Sequence, residues 1–132
     1  MSGLVLKLNP KERVLVNGAV IENGDRRSRL SILTPNANIL RLRDAIRPDE
    51  VNTPVRRVCY IAQLVLSGDV KEDDARFQIL REQLSQALRD DDSRQLLDAA
   101  THSAQENDFY RVLKNLRTLL PREARLMAPS LS

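Results

Sequence analysis

Asn17-Gly18 stands between two apolar runs, Val14-Leu15-Val16 and Ala19-Val20-Ile21. No other short feature constrains this chain as tightly. A two-residue type I′ turn needs positive φ at both central positions, and Asn-Gly meets that demand at the least steric cost. The pair therefore predicts a β-hairpin over residues 13–22. The flanking segments carry the same signature. Leu4, Leu6 and Leu8 alternate with Val5 and Lys7, the period of a half-buried strand. Asn9-Pro10-Lys11, Asn23-Gly24-Asp25 and Thr34-Pro35-Asn36 are turn signals. Residues 29–33 alternate again, and residues 38–43 supply one more strand. Four or five short strands in succession predict a small antiparallel β meander or roll.

The periodicity then changes from two to 3.6. Thr53-Pro54 reads as a helix start, with Thr as N-cap and Pro at the first helical position. Val55, Val58, Cys59, Ala62, Val65 and Leu66 form an apolar stripe that ends at Gly68. A second helix is expected from about residue 71 to 88, on Ala75, Phe77, Leu80, Leu84, Ala87 and Leu88. A third, over about residues 93–105, uses Leu96, Leu97, Ala100 and Ala104. A fourth is capped by Asn107-Asp108, carries Phe109, Val112, Leu113, Leu116, Leu119 and Leu120, and is ended by Pro121. The expected fold is α+β, one compact two-part domain. Its parts are a basic β-rich region at 1–47, a helical region of about four helices at 53–122 and a flexible tail at 123–132.

At 132 residues the chain can bury a core without disulfides or metals. Aromatics are only 3%, so that core must be aliphatic. Cys59 is the only cysteine, which excludes an internal disulfide and suits a reducing compartment. Neither a signal-peptide pattern nor a run of ~20 apolar residues is present. The expectation is a cytoplasmic protein with no membrane partner.

Enzyme chemistry finds little to work with. His102 falls on a polar helix face and Cys59 on an apolar stripe, so no metal set is foreseen. The four glycines are not clustered into a phosphate loop. Asp73-Asp74 and Asp90-Asp91-Asp92 read as caps or solvated acids, because neighbours in sequence do not face one another on a helix. No catalytic residue and no cofactor is expected.

Charge is distributed unevenly. Residues 1–60 carry 11 Lys/Arg against 6 Asp/Glu, whereas residues 61–132 carry 10 against 12. Arg outnumbers Lys 17 to 4. Arg26, Arg27 and Arg29 follow the second turn. Arg41 and Arg43 occupy alternate positions of the last expected strand, pointing to one face. Arg56 and Arg57 open the first helix. Two readings fit these seven. They can form a groove that neutralises the phosphates of a nucleic acid, or they can be a solvated face with helix-surface ion pairs. The strands carry no aromatic to stack on bases.

Several blocks resemble the FlbT family of flagellum biosynthesis repressors. They are the run from Glu12 through Asn17-Gly18 to Asn23 with Arg26-Arg27, the run Ile46-Arg47-Pro48-Asp49-Glu50-Val51, and the helix start Thr53-Pro54-Val55-Arg56-Arg57-Val58-Cys59-Tyr60. The segment from Asp108-Phe109-Tyr110 to Leu116-Arg117 resembles the family's final helix. The likeness spans roughly residues 4–122, with Cys59 at the place of a family Tyr. It implies a post-transcriptional regulator of flagellin synthesis and flagellum assembly, which binds the 5′ untranslated leader of flagellin mRNA and promotes its decay. It also implies a FlaF-type protein and flagellin as partners. The alternative class is a protein-interaction adaptor, whose helical part docks on such a partner and touches the mRNA only indirectly.

Overall fold

The computed structural model describes residues 4–35 and 37–127. The α+β expectation holds. Among the described residues are five strands, β1 (Leu4–Leu8), β2 (Arg13–Val16), β3 (Ala19–Glu22), β4 (Ser28–Ile32) and β5 (Ile39–Arg41). Short 3-10 turns at Leu42–Asp44 and Pro48–Glu50 lead to five helices. These are α1 (Pro54–Ser67), α2 (Ala75–Ala87), α3 (Asp91–Gln105), α4 (Phe109–Arg117) and α5 (Leu120–Met127).

The Asn17-Gly18 hairpin forms as its sequence requires. Asn17 has φ +47° and Gly18 φ +86°, and β2 pairs β3 with Val16 opposite Ala19. Asn17 also locks the approach to β5. Its N–H donates to the Asn38 carbonyl at 2.8 Å, and its Oδ1 accepts from the Asn38 N–H at 2.9 Å. The strands divide into two antiparallel sheets, β1-β4 and β3-β2-β5. Only β2 and β3 are both paired and consecutive in sequence, so the arrangement is a roll. Leu6, Leu8, Val14 and Ile39 are its buried centre, with Leu4, Leu30, Ile32 and Tyr110 packed around them.

β5 is shorter than expected. It ends at Arg41, and Arg43 lies in the 3-10 turn that follows. The two arginines therefore do not share one strand face. The connection to α1 is held by Gln63, whose Oε1 accepts from the Ile46 N–H at 2.7 Å and whose Nε2 donates to the Ile46 carbonyl at 3.1 Å.

α1 is the central helix. Val55, Val58, Cys59, Ile61, Ala62, Val65 and Leu66 are all buried, and it packs on α2, α4 and β5. Thr53 caps it by accepting from the Arg56 N–H, and Gly68 closes it at φ +86°. α2 starts at Ala75 instead of near residue 71, because Asp74 is the capping residue and accepts from the Arg76 N–H. Phe77, Leu84 and Leu88 are buried, whereas Ala75 and Ala87 are exposed. Phe77 meets Phe109 edge-on at a centroid distance of 5.5 Å. α3 and α4 begin at Asp caps, Asp90 and Asp108, which accounts for two of the acidic positions by capping.

The end of the chain departs from expectation. Pro121 does not end a helix. It is the second residue of α5, where a missing N–H costs nothing and the fixed φ is already helical. The break falls one turn earlier, at Thr118-Leu119, and separates α5 from α4. Residues 123–127 are part of the fold, not of a flexible tail. Glu123 is buried, and its Oε2 accepts from the Val55 N–H at 2.8 Å. That carboxylate satisfies one of the otherwise unpaired donors at the start of α1. Arg122 reaches the N-terminal acids of α3, Asp90 at 2.9 Å and Asp92 at 3.1 Å. Residues 128–132 of the expected tail lie outside the described residues.

Candidate functional site

The seven arginines singled out by charge fall into distinct environments. Arg26 and Arg27 are exposed on the segment that enters β4 and Arg29 is exposed within β4, and no carboxylate lies within ion-pair range of them among the described residues. The register sharpens the picture. β1 pairs β4 with Lys7 directly opposite Arg29. Leu6 and Leu8 are buried, so the alternate positions Val5 and Lys7 face outward, together with Arg29 and Ser31. Two cations thus stand side by side on the outer face of the β1-β4 sheet, with side-chain origins roughly 5 Å apart in such a pair. Like charges placed this way repel, and an anion lying across them removes the penalty.

Arg41 is differently employed. Its Nε donates to Glu12 Oε2 at 2.6 Å and its Nη2 donates to Glu12 Oε1 at 2.7 Å and to the Lys7 carbonyl at 2.6 Å. Glu12 also accepts from the Asn9 N–H at 3.0 Å. The Arg41 guanidinium holds the Glu12 carboxyl well down, to about 2, against the opposing pull of burial. Arg43 approaches the same carboxylate at 3.7 Å and Asp44 at 3.8 Å. The sequence leaves Arg41 and Arg43 open to a phosphate-binding groove or to a solvated face with ion pairs; in the structure both converge on Glu12. The reason is energetic: a buried carboxylate must be paired, and these are the cations within reach. Arg56 donates to Asn52 Oδ1 at 3.2 Å. Arg57 is exposed, with no ion pair among the described residues.

A second feature lies between β5 and α4. A cleft of about 380 Å³ is lined by Ile39, Arg41 and Asp44 on one side and by Tyr110, Lys114 and Arg117 on the other. Arg117 pairs with Asp44 at 3.0 Å. Sequence patterning on charge clusters missed Lys7, isolated among leucines, and it missed this helix face. The spacing 110, 114, 117 was its available signal, since i, i+4 and i+7 fall on one side of a helix.

His102 is exposed and pairs with Glu106 at 2.8 Å, on the polar face expected for it. Cys59 is fully buried, and burial pushes its thiol up to about 12. Among the described residues, no three His, Cys, Asp or Glu side chains gather as a metal centre would need, and no helix is long and apolar enough to cross a membrane.

Residues 4–127 match the family model described as flagellar protein FlbT. The chain belongs to the FlbT family. A FlbT relative from Bradyrhizobium diazoefficiens, named a probable flagellum biosynthesis repressor protein, is 34% identical over 93% of this chain and 84% of its own length. A probable FlbT repressor from Rhodopseudomonas palustris is 28% identical over 95% of this chain and 98% of its own. The flagellum biosynthesis repressor FlbT of Caulobacter vibrioides is 40% identical over 51% of this chain and 47% of its own. No solved structure matches the FlbT fold seen here.

Proposed function

We propose that this FlbT-family chain is a cytoplasmic, post-transcriptional regulator of flagellin synthesis that binds the 5′ untranslated leader of flagellin mRNA and promotes its decay. The observation that supports this reading most directly is the outward-facing Lys7–Arg29 pair, continuous in sequence with Arg26 and Arg27 and unanswered by a carboxylate among the described residues. Four cations on one short structural unit favour a polyanion over a single acidic group, because each phosphate neutralised releases counterions. The relatives' names as flagellum biosynthesis repressors supply the pathway. The protein's part is to bind the leader, obstruct translation and leave the message open to nucleases; the cutting belongs to another enzyme. Anisotropy titration of flagellin leader RNA against the pure protein at two salt concentrations tests the reading. Tight, steeply salt-dependent binding with preference for the leader over unrelated RNA is expected, and equal affinity for both RNAs refutes it.

The adaptor reading has its own support. All four residues of the edge strand β3 are exposed, with Val20 at 61%, so its outer backbone edge is open to strand addition by a protein partner. A pull-down of purified FlaF-type protein or flagellin without RNA, compared with the leader titration, separates the two.

A further inference from the structure

The cleft between β5 and α4 lies outside the cationic strand surface just described and has a chemistry of its own. Its floor is apolar, made by Ile39 and Leu113. Tyr110 lines it while also packing, half-buried, against the buried centre of the roll. The Tyr110 hydroxyl makes no hydrogen bond among the described residues, and Lys114, one turn on, has no carboxylate partner among them. Arg117 closes the row, at present bound to Asp44. Arg41, on the opposite wall, is already neutralised by Glu12. The volume of about 380 Å³ falls in the range of small-molecule sites. An aromatic ring packed on the core beside a cation without a carboxylate partner among the described residues is the arrangement that stacks a base and holds its phosphate.

We propose that this cleft is a nucleotide pocket: a base lies against Tyr110 and its phosphate is held by Lys114, with Arg117 recruited from Asp44. Resting on the RNA-binding reading above, the natural occupant is one unpaired nucleotide of the bound leader. The same chemistry accepts a free mononucleotide. The pocket supplies the stacking aromatic that the strands lack, on a helix residue that packs against the core of the roll.

The test uses the full chain and two arms. In the first, leader RNA carrying 4-thiouridine is photo-crosslinked and the attached peptide identified, and leader affinity is measured for Tyr110→Phe, Tyr110→Leu and Lys114→Ala. The expected result is a crosslink within residues 110–117, affinity kept by Tyr110→Phe, and a loss of about fivefold or more for Tyr110→Leu and Lys114→Ala. Thermal melts show whether each variant is folded, and Lys114→Ala, at an exposed site, carries the result if Tyr110→Leu is not. In the second arm, AMP, GMP, CMP and UMP are titrated while the amide signals of residues 110–118 are followed by NMR. Shifts confined to that segment support the pocket even if no RNA binds, in which case the leader reading falls and a free nucleotide is the occupant. If RNA binds, Lys114→Ala leaves its affinity unchanged and the mononucleotides move no signal there, the pocket is overturned while the leader reading stands.

Discussion

Glu12 and Arg41, 29 residues apart, join through two parallel hydrogen bonds of 2.6 and 2.7 Å, with the Glu12 side chain only 5% exposed. Arg41 extends the same grip to the Lys7 carbonyl of β1, so one guanidinium ties the two sheets of the roll together. Bidentate, charge-assisted pairs of this kind are the stronger hydrogen bonds of proteins.

That pair makes stability pH-dependent. The Glu12 carboxyl titrates near 4.5 when free and is held down at about 2 in the fold. A lowered folded-state value means the contribution is complete above pH 5 and is lost as pH falls from about 4.5 through 2. Urea denaturation at pH 6, 4 and 2.5 should show a loss of about 1–2 kcal/mol from this group, after allowing for water near the Arg41 end. Glu12→Gln should cost about 2–3 kcal/mol at pH 6, because Arg41 is left half-desolvated without its counter-charge, and should flatten the acid limb.

The two arginine classes should separate in experiment. Replacing Arg26, Arg27 and Arg29 together by Ala should leave the melting temperature nearly unchanged and lower the slope of log affinity against log salt by about 2 for single-stranded leader RNA. Arg41→Ala should instead lower stability, because the buried Glu12 carboxylate loses its main counter-charge. Lys7→Ala should stabilise slightly by relieving repulsion with Arg29, while weakening RNA binding. A triple variant with an unaltered salt slope would remove the β1-β4 face from consideration.

Glu123 anchors the end of the chain to the start of α1. Glu123→Ala should cost about 1–2 kcal/mol, the worth of a helix N-terminal acceptor plus an unpaired buried N–H. Glu123→Gln keeps an acceptor oxygen and should cost less. A chain ended after Thr118 should be destabilised by more than either, which thermal melts of the three would show.

Cys59 should be silent in the native state. With its thiol buried and pushed up to about 12, negligible thiolate exists at pH 8, so a thiol reagent such as DTNB should react only in denaturant. Rapid reaction of the native protein would mean that α1 opens readily.

Local rules account for much of what was legible beforehand. The Asn17-Gly18 turn, the Thr53-Pro54 start of α1, its Gly68 stop and the Asp108 cap of α4 each depend on residues within one turn of one another, and each formed where the sequence placed it. The starts of α2 and α3 shifted to Ala75 and Asp91, because Asp74 and Asp90 are the acids that cap them. Pro121 was misread for the same reason: proline both ends and begins helices, and only the packing of Glu123 against α1 shows which. Arg41 and Arg43 looked available because charge in a sequence carries no record of its partner. Glu12 sits in a different turn, and only the pairing of β2 with β5 brings it to them. Conversely, Lys7 and Arg29 are far apart in the chain and become neighbours only through the β1-β4 register.

By itself, then, the sequence determined which segments are strand and which are helix, where most of them start and stop, and which family the blocks resemble, because backbone sterics and hydrophobic period act over a few residues. Tertiary structure decided which cations are spent and which are free, and brought Tyr110 and Lys114 against β5 to make a cleft. Pairing and burial join residues distant in sequence, and a charge or an aromatic ring acquires its role only from what the fold sets beside it.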